Sequence, residues 1–177
     1  CLEVINNFLK KIQGHFSFMA NSPKFSIGAV DRARSYPLFY SHTNKETILS
    51  NSANKLQNDL QLFETNSVSI IELSMAGYVL GKNTLFENLY QLQAGEFLLF
   101  NKKSCNVDLC RYFKYYVNKT KDSNEKDLLE QQHEVTLSTF KKMIETLEDR
   151  PVWIPLSGGL DSRLVLSMLL KLKYNNI

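Results

Sequence analysis

The chain has 177 residues, 44% hydrophobic and 22% charged, with 21 Lys and Arg against 18 Asp and Glu. This is the composition of a globular chain with room for one domain, or for one domain and part of another. A net charge of +3 is too mild for a nucleic-acid-binding surface, and no apolar run approaches the roughly 18 residues of a membrane span.

Residues 1–14 place Leu2, Val4, Ile5, Phe8, Leu9 and Ile12 on one helical face, with Gly14 as the stop. HFSFMANSPKFSIGAV predicts two short alternating strands about an Asn-Ser-Pro turn. PLFYSH and ETILSNS predict two more, so a region of antiparallel hairpins runs through residue 53. SVSIIELSMAGYVLG has helical spacing and is expected to end on Gly81, and QAGEFLLFNKK is a strand entered through a glycine turn. Residues 101–124 read as polar and irregular around the aromatic cluster RYFKYY, which is expected to pack between domains rather than stack on bases. The linker is expected around residues 115–125.

Beyond it, Ser123 is a candidate cap for a helix running to about Glu148. Its apolar stripe is Leu128, Leu129, Val135, Leu137, Phe140, Ile144 and Leu147. A buried strand, Val152–Leu156, a Ser-Gly-Gly turn and a helix from about Asp161 to Lys173 then read as the opening of a parallel α/β sheet. That last helix is apolar on nearly all sides and calls for burial on two faces.

Cys1, Cys105 and Cys110 have no metal-ligand spacing and read as reduced thiols. With no basic-then-apolar leader at the start, the expected compartment is the cytoplasm. His15, His42 and His133 are scattered among strand, loop and helix and read as structural. The first residue is not Met, and KLKYNNI stops where a new strand begins, so the chain reads as an internal fragment.

The chemistry concentrates at SGGLDS, residues 157–162. Ligands of open α/β sheets sit outside the carboxyl ends of strands, and this loop falls at such an end. Gly158 and Gly159 are expected to let the backbone turn tightly and approach a ligand, while the following helix aims its N–H groups at the loop. No Lys follows Gly159, so this is not the standard phosphate loop. Asp161 would repel a bare polyphosphate, but it fits one bridged by a divalent cation, and Ser157 and Ser162 can donate to phosphate oxygens. The same residues also fit an ordinary turn with Asp161 as an N-cap. Arg163 is unfavourable at a helix N-terminus unless an anion binds there.

SGGLDS after an apolar strand resembles the pyrophosphate-binding loop of the ATP-pyrophosphatase family. The first 110 residues resemble the second half of the glutaminase domain of glutamine-hydrolysing asparagine synthetases. FLKKIQGHFSF, AVDRARSYPLFY and SIIELSMAGYVLGKNTLFENLYQLQAGEFLLF occur in the family's order. Gly14, Phe16, Phe18, Asp31, Pro37, Leu38, Tyr40, Thr84, Phe86, Leu92 and Gly95 fall on its motif positions. DRARSY replaces the family's more usual Asp-x-x-Gly-x-x run, which resembles the subgroup from polysaccharide and secondary-metabolite pathways. Asp31 and Arg32 are expected to hold a turn of the β layer.

The resemblance implies an α+β then α/β chain. Residues 1–118 would be the latter part of an Ntn-type α/β/β/α glutaminase sandwich. Residues 119–177 would be the first β-α unit of a parallel-sheet ATP-pyrophosphatase domain. It implies ATP and pyrophosphate binding by Ser157, Gly158, Gly159, Leu160, Asp161 and Ser162, with Mg²⁺ on Asp161. The family's nucleophile is an N-terminal Cys followed by Gly. Here Leu2 follows Cys1, which aligns well inside the domain, so the nucleophile is expected upstream and Cys1 is not it. The implied activity is a carbon–nitrogen ligase of asparagine-biosynthesis type, joining glutamine's nitrogen to a carboxylate (aspartate or a pathway-specific acid) through an acyl-adenylate. No nucleic-acid or membrane partner is expected, and a homodimer is compatible with the reading. The alternatives are an ATP-dependent cyclase of the β-lactam or lasso-peptide type and a non-catalytic scaffold.

Overall fold

The computed structural model describes residues 2–43, 46–116 and 124–177. Cys1, the candidate cap Ser123 and most of the expected linker lie outside the described residues. The chain forms two compact units, Cys1–Tyr116 and Val117–Ile177.

The first unit opens with α1 (Leu2–Lys11). Leu2, Ile5, Leu9 and Ile12, spaced three or four apart, pack into one core cluster, whereas Val4 and Phe8, expected on the same face, are exposed. β1 (Ser17–Asn21) and β2 (Phe25–Val30) form the expected hairpin, with the Ser22 hydroxyl donating to Phe25 O and accepting from its N–H. β3 (Phe39–His42) and β4 (Thr47–Ser50) form a second hairpin.

α2 (Ala53–Leu60) follows, a helix the apolar pattern did not signal because Leu56 is its one buried residue. α3 (Ser67–Ala76) ends at Gly77, not Gly81: Gly77 takes the left-handed conformation (φ 79°), and its N–H closes on Leu73 O. β5 (Tyr90–Gln91), β6 (Glu96–Asn101) and β7 (Asn106–Arg111) complete the unit. β7 corrects the expectation of an irregular 101–124. Its burial is too shallow to leave an apolar alternation, and its partner β6 supplies the ladder.

The strands make two antiparallel sheets, ordered β1-β2-β6-β7 and β4-β3-β5. Alternation along β6 sends Leu98 and Phe100 to a core shared with Leu38, Tyr40 and Leu92, and Phe97 and Leu99 to a core shared with Leu9. The first sheet is thus covered by α1 on one face and by the second sheet on the other. Gly28 of β2 sits at the sheet–sheet contact, where a Cβ would come within 3.0 Å of Leu49. α2 lies against β3 and β4, giving a helix–sheet–sheet–helix succession.

Two groups lock the layers. Asp31, 2% exposed, accepts from the N–H groups of Phe16 (3.0 Å), Ala33 (2.8 Å) and Ser35 (3.0 Å) and from the Ser35 hydroxyl (3.2 Å). Burial pushes its pKa up, but these donors outweigh burial and hold it below the ordinary carboxylate value. Arg32 donates to Lys10 O at 2.7 Å and lies over the Phe113 ring, tying the same turn to the last turn of α1 and to the chain just after β7. Both residues hold the turn, as expected. Tyr112, the second residue of RYFKYY, is buried in the first unit and donates to Val30 O at 2.8 Å.

The second unit contains α4 (Glu125–Leu147) and α5 (Leu160–Lys171). Asn124 caps α4 by accepting from Lys126 N–H. Leu137, Phe140, Ile144 and Leu147 of the expected stripe are half-buried, and Leu128, Leu129 and Val135 are exposed. Val152–Leu156 is a correction. These residues are irregular chain with no ladder among the described residues, and Trp153 is 92% exposed. A parallel strand draws its hydrogen bonds wholly from neighbouring strands, and here one backbone bond, Val152 N–H to Asn176 O at 2.8 Å, stands in their place. On α5, Met168 and Leu169 are buried while Leu160, Leu164 and Leu170 are exposed, so only one face is covered.

Candidate functional site at Ser157–Ser162

The loop is drawn together by its own hydroxyls. The Ser157 N–H donates to Ser162 Oγ at 3.1 Å, the two hydroxyls lie 3.0 Å apart, and the Gly159 N–H donates to Ser157 Oγ at 3.2 Å. Both serines therefore stand on the same side of the turn, one before the helix and one in its first turn.

Gly159 is the N-cap residue of α5 and has no side chain with which to cap it. The first N–H groups of a helix have no partner within the helix, and they carry its positive dipole end. Leu160, Asp161 and Ser162 occupy those positions. The Asp161 carboxylate is exposed and makes no hydrogen bond or ion pair among the described residues. It therefore does not serve as the N-cap that the plain-turn reading required. Arg163 is exposed.

The two glycines do not behave as expected of a tight turn. Neither takes a positive φ, and Gly159 sits in extended backbone at φ −79° and ψ 166°. A Cβ on Gly158 would meet nothing within 4 Å, and one on Gly159 only Ser157 Oγ at 3.4 Å, ordinary contact. Alanine would fit both positions as far as the protein's own atoms are concerned, and glycine carries an entropic cost on folding. What two glycines retain here is open backbone in front of the helix N-terminus.

All six expected residues, Ser157, Gly158, Gly159, Leu160, Asp161 and Ser162, thus lie on one short turn at the start of α5. Mg²⁺ keeps several waters and takes one or two carboxylates together with phosphate oxygens. An exposed, unpaired Asp161 beside two hydroxyls fits that demand. The histidines are elsewhere: His15 meets Ser35, His42 meets Thr47 at 2.9 Å, and His133 meets Lys171 at 3.2 Å.

Sequence reasoning missed a second feature, in the first unit. Arg34, within DRARSY, has φ 55°, in the left-handed region that favours glycine. It lines a cavity of about 520 Å³ beside α2 and β3. The signal was present, because DRARSY puts Arg34 where the resembled run has glycine.

Neither a family model nor a curated protein matches this chain.

Proposed function

We propose that this chain is part of an asparagine-synthase-like amidotransferase, ATP-dependent and glutamine-hydrolysing, which forms an amide from a carboxylate. The observation that carries the reading is the Ser157–Ser162 turn. Two glycines that no neighbouring atom requires, two paired hydroxyls and an unpaired carboxylate front an uncapped helix N-terminus. Such a place receives a pyrophosphate. The helix–sheet–sheet–helix succession of the first unit supports an Ntn-type glutaminase layer order. In this reading Val152–Leu156 becomes the strand before the loop once neighbouring strands pair with it.

A substrate carboxylate, from aspartate or a pathway-specific acid, attacks the α-phosphorus of ATP, and the α–β bridging bond breaks to release pyrophosphate. Ammonia from glutamine then displaces AMP from the acyl-adenylate. The helix N–H groups of Leu160–Ser162 and the two serine hydroxyls stabilise the charge gathering on the leaving pyrophosphate. Mg²⁺, held by Asp161, would supply the positive charge that the missing lysine supplies in standard phosphate loops. Among the described residues no helix is long and apolar enough to cross a membrane. The proposed compartment is the cytoplasm.

Trp153, the one tryptophan in the chain, lies four residues before Ser157 and is exposed, so its fluorescence reports on the loop. Titration with pyrophosphate should give a saturable change only when Mg²⁺ is present. Asp161→Asn should abolish the Mg²⁺ dependence, and Ser157→Ala should weaken binding about tenfold, the loss of one charge-assisted hydrogen bond. An Asp161→Asn protein that responds like wild-type would refute the metal bridge. No response in wild-type would refute the loop's role.

A further inference from the structure

The cavity that Arg34 lines is an open one, and its lining comes from residues 34–91 of the first unit alone. At about 520 Å³ it falls in the size range of small-molecule sites, roughly 300–1,000 Å³. Phe39, Leu73, Phe86 and Leu89 supply an apolar wall. Asn54 and Gln57, from α2, add amides whose side chains make no hydrogen bond among the described residues.

Arg34 is the one charged residue in that lining. It is half-buried and makes no ion pair or side-chain hydrogen bond among the described residues. Burial lowers its guanidinium pKa, with no carboxylate offsetting the effect. A cation taken part-way out of water without a partner is costly, and here it also sits on a backbone conformation that costs a long side chain energy. Glycine would relieve the strain and the desolvation together. Two penalties at one residue, both beside a cavity, are the pattern of a position held for a ligand.

We propose that this cavity binds a small monocarboxylate with an apolar body, its anionic end paired with Arg34 and the amides of Asn54 and Gln57. The lining argues for a carboxylate over a phosphate. One cation among side-chain amides (Asn54, Gln57, Asn83 and Gln91) matches a single negative charge, whereas a phosphate dianion draws on further cations or a run of backbone N–H groups. The walls exclude a fully polar ligand, since Phe39 and Leu89 would be left against its hydroxyls. The inference stands apart from the Ser157–Ser162 loop and does not depend on it.

The test is calorimetric titration of the full chain with 3-phenylpropionate, 4-methylpentanoate and octanoate, each paired with its neutral alcohol. At least one acid should bind with Kd below about 1 mM and at least tenfold more tightly than its alcohol. Arg34→Gly should keep the circular dichroism spectrum, melt no lower than wild-type and lose at least tenfold in acid affinity, while Arg34→Lys keeps part of it. Equal affinity for acid and alcohol would overturn the proposal. So would full acid binding by a folded Arg34→Gly protein, or no binding of any acid.

Discussion

At the scale of single residues, Asp31 carries more of the first unit than any charged neighbour. Four donors from three residues converge on its carboxylate, joining the approach to β1 to the turn after β2. Asp31→Asn puts an amide NH₂ against N–H donors, and we expect a loss of about 3 kcal/mol, read from urea midpoints. The pH dependence has a definite sign. The folded pKa lies below the unfolded one, so the contribution is complete above the unfolded value, about 3.9, and disappears as pH falls through the folded pKa. Wild-type midpoints should therefore fall below about pH 4, while those of Asp31→Asn change less over the same range. The charge is felt at Tyr112 as well: burial first, then Asp31, raise its phenol pKa, with Arg32 pulling the other way.

At the scale of elements, two joints set the geometry of β6 and α3. Gly95 enters β6 at φ 68°, and its N–H donates to Asp31 O while its carbonyl accepts from Tyr112 N–H. A Cβ there would overlap the Phe113 carbonyl oxygen, backbone that cannot move without breaking the Tyr112 bond. Gly95→Ala should cost about 3 kcal/mol or more in denaturant melts. Asn66 caps α3 by accepting from Ser69 N–H at 2.8 Å and holds Glu87 through its amide at 2.7 Å. Asn66→Ala should cost about 1–2 kcal/mol, the loss of a cap. Asn66→Asp keeps the cap but faces the Glu87 carboxylate, so it should fall between the two.

At the scale of the whole molecule, the two units differ in how their backbone is satisfied. In the first, Leu98 and Phe97 of β6 are fully buried between layers and paired on both sides by β2 and β7. In the second, Val152–Leu156 has no ladder among the described residues, and only Val152 and Ile154 of it are half-buried. Hydrogen exchange should therefore place the β6 amides among the slowest in the chain and those of Trp153, Ile154 and Leu156 among the fastest. Slow exchange at Trp153–Leu156 would mean that these residues pair in solution. Leu98→Ala should cost about 3 kcal/mol, and Leu137→Ala on the half-buried stripe of α4 clearly less.

Much of this fold is legible in the order of the amino acids. The hairpin Ser17–Val30, the strand Glu96–Asn101 and the helix Glu125–Leu147 follow from period and turn chemistry, because burial on one face writes alternation into a strand and a stripe into a helix. The grouping of Ser157–Ser162 is legible too, since six consecutive residues cannot be far apart. What tertiary structure alone decided is of another kind. β7 and α2 bury so little that no pattern records them, and a partner strand or one leucine holds them in place. Val4 and Phe8 look like core in the sequence and are not, because one side of α1 meets the sheet and the other is left exposed among the described residues. Val152–Leu156 has a strand's composition without a strand's partners, and a strand is a property of the pair. Arg34 brings its cation to a cavity because the Asp31 turn sends the chain into a left-handed bend there, a consequence of contacts up to 15 residues away.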